Sequence, residues 1–569
     1  MNRTHRPGAP PGSVAPADRR PWWRRPVAWT TGAAVAAVAI VAIVAIVAVM
    51  LAPAATPGGD APATAEASGT PESSREYTRP SDWSTYRPAV HLTPAERWMN
   101  DPQRPFWLDG RWHYYYLYNA DYPEGNGTEW YHATSTDLVH WRDEGVAIEK
   151  YENGLGDIET GSAVIDTENT AGFGPGAVIA IMTQQHEGVQ RQSLFVSTDG
   201  GYRFEPFDGN PVMDNPGEAH WRDPKIVWDD ARDEWLMVLA EGHKLGFYTS
   251  PDLKDWTYRS GFERGDLGIL ECPDLFRISL DGDPAKTTWV LAAGVNGAEH
   301  GMTTGTAYWT GDWDGEQFTA DSADAAWLDH GADFYASVTW DDPRLPESER
   351  LAKRYSIGWL NNWAYAGDLP TKDWHGGSDS VVRELALRTV DGRPTLVSNP
   401  VAALAELEGE AQTEQNLTVH GADSELPQPT ADAYRLRVEV SPDPREPASE
   451  VRFRVKDGEG AFATVGVDFA SEVAFIARDA DAAAAGLPTE YREVRTAPAK
   501  VRDGVVTLDV IVDASSVEVF VNDGEAALSS LVFGAPGANG LAVESVGGTT
   551  DVRSLRLAPL AVAPVERLG

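Results

Sequence analysis

At 569 residues the chain is longer than one hydrophobic core usually serves, so at least two folded units are expected. A formal charge of −39 argues against nucleic acid or an anionic membrane surface as a partner, because both would repel the protein, and favours a neutral substrate. The lone cysteine, Cys272, excludes an intrachain disulfide and a multi-cysteine metal site, and the 12 histidines show no HxxxH or HExxH spacing, so no metal and no cofactor is implied.

Residues 33–52 are an unbroken apolar run behind Arg19, Arg20, Arg24 and Arg25, with Trp22, Trp23 and Trp29 at the expected interface. About twenty residues at about 1.5 Å each match a hydrocarbon core of about 30 Å. The reading is a basic cytoplasmic segment (1–32), a transmembrane signal-anchor (33–55) and a disordered tether (56–82) too poor in large apolar residues to fold. Ala52-Pro53-Ala54 also resembles a signal-cleavage site, which would make the protein secreted. Both readings export the remainder, to the cell surface or beyond it.

Over the whole chain, 21 Trp, 18 Tyr and 16 Phe among 53 Gly and 39 Pro suit an all-β fold with many turns. Five hairpins recur. Their second members are Trp112–Asn119, Val178–Thr183, Trp235–Ala240, Trp289–Gly294 and Tyr355–Asn361. Their first members are Phe106–Leu108, Ser162–Asp166, Lys225–Trp228, Leu275–Ile278 and Ala336–Trp340. Turns of the form Ser/Thr-x-Asp follow at Ser135, Ser197 and Ser250, each leading to an aromatic that starts an outer strand. Four-stranded units repeated five times predict a five-bladed β-propeller at 83–400. The starts of the first strands fall at Asp101, Thr160, Asp223, Glu271 and Asp333, which a propeller would gather around one end of its axis. A ring of acids in equivalent positions points to function more than to turn capping.

The acids sit in Trp98-Met-Asn100-Asp101-Pro102, Trp221-Arg222-Asp223-Pro224 and Glu271-Cys272-Pro273-Asp274. In this order they resemble the signature motifs of glycoside hydrolase family 32, the invertases, inulinases, levanases and related fructosyltransferases. Gly161-Ser-Ala-Val164, Asp333-Phe-Tyr-Ala336, Gly358-Trp-Leu-Asn-Asn-Trp363 and Ser515-Ser-Val-Glu-Val-Phe-Val-Asn-Asp-Gly524 extend the resemblance over nearly everything after the tether. It implies a retaining fructan hydrolase with Asp101 as nucleophile, Glu271 as general acid/base and Asp223 as transition-state stabiliser. Its substrate contacts are expected from Trp98, Asn100, Gln103, Trp130, Ser162, Arg222 and Trp363, with levan, inulin or sucrose as the fructosyl donor. Alternatives are a levanbiose-releasing levanase or a levan fructotransferase; a non-catalytic fructan-binding surface protein would be expected to lose one of the three carboxylates, and all are present.

The sequence departs from the family pattern at Gln103 and Arg104, where Asn-Gly is usual, at Leu117, where Gln is usual, and at Tyr131, where Gly is usual. These changes are expected to cluster around the fructose subsite and to favour a polymer, with Tyr131 and Arg104 reshaping the pocket so that two fructosyl units fit. After a connector (401–412) with a helix-like turn at Ala402–Glu408, alternating runs at Tyr434–Val440, Val451–Val455, Ala463–Phe469, Val505–Val512 and Val517–Val521 predict a β-sandwich (413–569) with a hairpin turn at Asn522-Asp523-Gly524.

Overall fold

The structure is a computed structural model describing residues 79–123, 127–297, 303–423, 426–458, 461–478, 486–563 and 565–567. The apolar run, its basic flank and most of the tether lie outside these residues; among the described residues no helix is long and apolar enough to cross a membrane.

Five antiparallel sheets form the propeller. Their first strands are Arg97–Leu108, Asp157–Asp166, Arg222–Asp229, Leu270–Ser279 and Tyr335–Trp340, and these pack against one another in a closed ring. The second strands read as continuous apolar runs because neighbouring blades cover both their faces. In Ala177–His186 the first eight residues are all buried, whereas the outer strand Thr257–Glu263 has no buried residue. Asp109-Gly110 makes the first hairpin turn, with φ of 49° and 83°. The expected Ser-x-Asp turns form as read: Ser135 Oγ accepts from the Leu138 amide at 2.8 Å and Asp137 Oδ1 accepts from the His140 amide at 2.8 Å.

The C-terminal part corrects one expectation. It is sandwich-like but consists of a single ten-stranded sheet rather than two separate ones. The 20-residue strand Gly540–Pro559 joins its halves: Gly540–Val546 pairs with Glu450–Gly458, and Thr550–Pro559 pairs with Tyr434–Pro442. The connector forms a 3-10 turn at Ala402–Leu407, and the Asn522-Asp523-Gly524 hairpin turn docks on the last propeller strand, where Asn399 Nδ2 donates to Asp523 O at 2.9 Å.

Propeller and C-terminal sheet are joined by buried ion pairs. Arg383 donates to Asp329 at 2.9 Å and also to Glu518; His91 bridges Asp513 at 2.8 Å and Glu518 at 2.9 Å. Arg478 donates to Asp333 at 2.6 Å. Asp333 is therefore an anchor between the two parts and not a member of the ring of acids, because both its oxygens are spent on Arg478, Tyr365 and the Leu531 amide.

Candidate active site

All five inner strands carry the same irregularity. In each, three residues span what two cover on the partner strand: Asn100 to Gln103, Ile158 to Gly161, Arg222 to Lys225, Glu271 to Asp274 and Tyr335 to Val338. Such a bulge re-aims side chains at the rim of a barrel or propeller. Aligned on it, Asp101, Glu159, Asp223, Cys272 and Ala336 are equivalent, and Glu271 stands one place earlier with Asn100, Ile158, Arg222 and Tyr335. The expected set is corrected accordingly: Glu159, not Thr160, matches the two aspartates, and Glu271 owes its place to the preceding position. Asp223, Cys272 and Ala336 hold the bulge at φ of 65°, 44° and 49°, a left-handed backbone that L residues adopt at a cost of order 1 kcal/mol.

The bulges surround a cavity of about 660 Å³ floored by Asp101, Asp223, Glu271 and Arg222. Asp101 Oδ2 accepts from Thr160 Oγ1 at 2.6 Å and Oδ1 from Asn100 Nδ2 at 3.0 Å. Asp223 Oδ2 accepts from the Cys272 amide at 2.9 Å. Glu271 Oε1 accepts from Arg222 Nη2 at 2.6 Å and Nε at 3.1 Å, and Oε2 accepts from the Tyr335 hydroxyl at 2.5 Å. The Cys272 thiol lies between the aspartates, 3.4 Å from Asp101 Oδ2 and 3.6 Å from Asp223 Oδ2; burial pushes it well up, so it stays protonated and packs behind the acids.

The profile of the Glycosyl hydrolases family 32 N-terminal domain matches residues 91–400, and that of the C-terminal domain matches 403–559. The chain belongs to glycoside hydrolase family 32. It is 45% identical over 476 residues to a levanbiose-producing levanase of Bacillus subtilis (strain 168), covering 83% of this chain and 90% of that one. It is 46% identical over 383 residues to a levanbiose-producing levanase of Geobacillus stearothermophilus, covering 67% and 95%. The crystal structure of exo-inulinase from Aspergillus awamori superposes with a TM-score of 0.76 at 30% identity, covering 84% of this chain and 99% of that one.

In this family 32 pocket the carboxyls differ by environment. Burial raises Asp101 above the ordinary carboxylate range, opposed by its hydrogen bonds from Thr160 and Asn100. Burial pushes Asp223 up to about 7 against the pull of Arg222, with Glu271 and Asp101 adding repulsion. Glu159, absent from the sequence-based set, lines the same cavity; burial and the charges of Asp223, Asp157 and Asp101 push it up to about 8.

Trp98, Asn100, Arg222 and Trp363 line the cavity. Trp98 and Trp363 stack with ring centroids 6.3 Å apart, and Trp98 donates to Asn100 Oδ1 at 2.9 Å. Three further expected contacts do not line it. Trp130 is fully buried and packed with Tyr115, Leu117 and Ile158, its indole N–H bonded to Glu159 O at 3.0 Å. Ser162 ties blade 2 to blade 3, donating to Pro224 O at 3.0 Å and accepting from the Ile226 amide at 2.9 Å. Gln103 ties blade 1 to blade 2, donating to Asp101 O at 2.9 Å and accepting from the Gly161 amide at 2.8 Å. Gly161 suits this seam because a Cβ there would lie 2.2 Å from Ile181 O.

The departures from the family pattern also lie elsewhere than expected. Leu117 and Tyr131 are packed into hydrophobic clusters, and Arg104 lines a different cavity beside Asp341 and Arg350. Neither Tyr131 nor Arg104 lines the cavity that holds Asp101.

Proposed function

We propose that this family 32 glycosidase cleaves β-fructofuranosidic bonds in fructans with retention, Asp101 acting as nucleophile, Glu271 as general acid/base and Asp223 as stabiliser. One observation carries the reading: the pocket floor holds one carboxyl supplied with neutral donors and a second caught between an arginine and a tyrosine hydroxyl. Thr160 and Asn100 hold Asp101 in place to attack, and Arg222 and Tyr335 hold Glu271 in place to exchange a proton first with the leaving oxygen and then with water. Asp101 attacks the anomeric carbon as the C–O bond breaks, and Glu271 passes its proton to the leaving oxygen. Water then enters, Glu271 takes its proton, and the fructosyl–Asp101 ester is cleaved. Asp223 and Arg222 meet the sugar hydroxyls, and Asn100 fixes Asp101 with Trp98 behind it.

Levan is the favoured substrate, with levanbiose as the product, because the relatives at 45% and 46% identity are levanbiose-producing levanases. The apolar run at 33–52 and its basic flank support a catalytic part held outside the cell at the membrane; cleavage near Ala54 would instead release it.

The test is product analysis of the full chain incubated with levan, inulin and sucrose. Levanbiose from levan is expected. Fructose as sole product would replace this reading with simple exo-hydrolysis, and a difructose anhydride would replace it with intramolecular transfer.

A further inference from the structure

The two walls of the pocket differ in kind. One is aromatic: Trp98 lies between Tyr122, at 5.0 Å, and Trp363. The other is built by blade 2 and the approach to blade 3, and it presents hydrogen-bonding groups that no other described residue takes up. Gln190 Nε2 donates to Gln185 Oε1 at 3.1 Å, which orients Gln185 so that its own amide N–H groups are free to donate. Arg222 Nη1 lies 2.9 Å from His220 Nδ1; arginine can only donate, so Nδ1 accepts and the ring proton sits on Nε2. Among the described residues no side chain donates to the Glu159 carboxyl. All three residues line the cavity.

Chain order says what faces this wall. In a five-membered ring of blades, blade 2 neighbours blades 1 and 3 and lies across the axis from blades 4 and 5. Glu271 is on blade 4, with Tyr335 of blade 5 on one oxygen and Arg222 of blade 3 on the other. The leaving oxygen, which must meet Glu271, therefore departs on the side away from the blade 2 residues Glu159 and Gln185, while His220 borders the wall through Arg222. Glu159 is the neighbour of Thr160, which touches Asp101, so a sugar joined to the unit over Asp101 and directed away from Glu271 reaches this wall.

Resting on the reading of the chain as a fructan hydrolase, we propose that Glu159, Gln185 and His220 form the binding site for a second β-fructosyl unit, on the non-reducing side of the bond being cut, and thereby set a two-unit product. The wall offers neutral donors, as an uncharged polyol requires, with Gln185 and His220 giving N–H groups. Glu159 gives and takes one hydrogen bond each, since its carboxyl, pushed up to about 8, carries a proton at neutral pH.

The experiment compares the full chain with Glu159→Ala, Glu159→Gln and Gln185→Ala on levan and on sucrose, which has a single fructosyl unit. Levanbiose and fructose are quantified, and kcat/KM is measured on each substrate. Glu159→Ala should shift the product from levanbiose toward fructose and lower kcat/KM on levan about tenfold more than on sucrose, the effect of one lost hydrogen bond. Gln185→Ala should act in the same direction. Glu159→Gln keeps a donor and an acceptor in place and should retain the levanbiose product. An unchanged product ratio in both alanine variants would overturn the site, and a Gln variant behaving like the Ala variant would overturn the protonated carboxyl. Wild-type release of fructose alone would remove the second subsite and leave the fructosidase reading standing. Inertness toward both substrates would remove the fructosidase reading as well.

Discussion

Two clusters of buried carboxylates lie in this protein, one on the pocket floor and one between the propeller and the C-terminal sheet. At the interface Asp329, Asp333, Asp513 and Glu518 meet Arg383, Arg478 and His91, so nearly every anion has a cation in contact. Burial alone would raise the Glu518 carboxyl, but Arg383 and His91 bring it down to about 2. In the pocket Asp101, Glu159, Asp223 and Glu271 share Arg222, and Asp223 rises to about 7 and Glu159 to about 8. The same residue types thus serve two ends: matched charge fixes one part of the fold against another, while unmatched acid leaves protons available at working pH.

The largest break in the comparison comes from deleting pocket carboxylates. Asp101→Ala and Glu271→Ala should each lower kcat on levan by a factor on the order of 10⁴ or more, since each removes a group that makes or breaks a bond. In Asp101→Ala the melting temperature should hold or rise, because the change leaves only the neutral donors Thr160, Asn100 and Cys272 and relieves repulsion with Glu271. A wild-type rate in either variant would overturn the assignment.

The interface should behave in the opposite way. Arg383 is fully buried, contacts Asp329, Glu518 and Ser529, and lies 4.0 Å from the Phe334 ring centroid. Arg383→Ala leaves the buried Asp329 with no cation and Glu518 with His91 alone, and should cost about 3–5 kcal/mol in denaturant unfolding. The protein that remains folded should keep its kcat, because the interface lies away from the pocket floor. A variant of wild-type stability would show that the ion pairs are dispensable.

Sequence and structure agree where a residue's environment is set by its own strand. The second strands of the blades are apolar throughout because they are covered on both faces, so periodicity finds them. The motifs around Asp101, Asp223 and Glu271 mark the floor for the same local reason. What escapes is register. One extra residue in each inner strand changes which side chain faces the axis, and nothing in Arg222-Asp-Pro-Lys-Ile-Val-Trp-Asp229 announces it. Glu159 therefore escapes by one place, beside the Thr160 that the spacing picks out. Ser162, Gln103 and Trp130 look like substrate contacts by proximity to motifs but turn into the seams between blades. In the C-terminal sheet, Ala526–Leu531 is missed because its Ala and Ser residues, buried against the propeller, carry no β-branched signal.

The smallest effect separates the two clusters by pH. Burial works against a charged His91, but its hydrogen bonds to Asp513 and Glu518 outweigh it and hold the ring at about 9. The folded state thus binds the His91 proton more tightly than the unfolded chain, and the resulting stability is complete below about 6.5 and lost as pH rises toward 9. Asp223, raised to about 7, also holds its proton more tightly when folded, so its contribution is complete below about 4 and gone above about 7. Both make unfolding easier at higher pH, but in adjoining windows. Denaturant unfolding of the full chain should lose about 2 kcal/mol between pH 6.5 and 9. His91→Gln should reduce the loss in that window and leave the slope from pH 4 to 7 in place, and Asp223→Asn should do the reverse, with Glu159, pushed up to about 8, supplying the slope that remains in both. If His91→Gln left the upper window unchanged, the interface would not hold a charged histidine, and the contrast between matched and unmatched acid would rest on Arg383 and Arg478 alone.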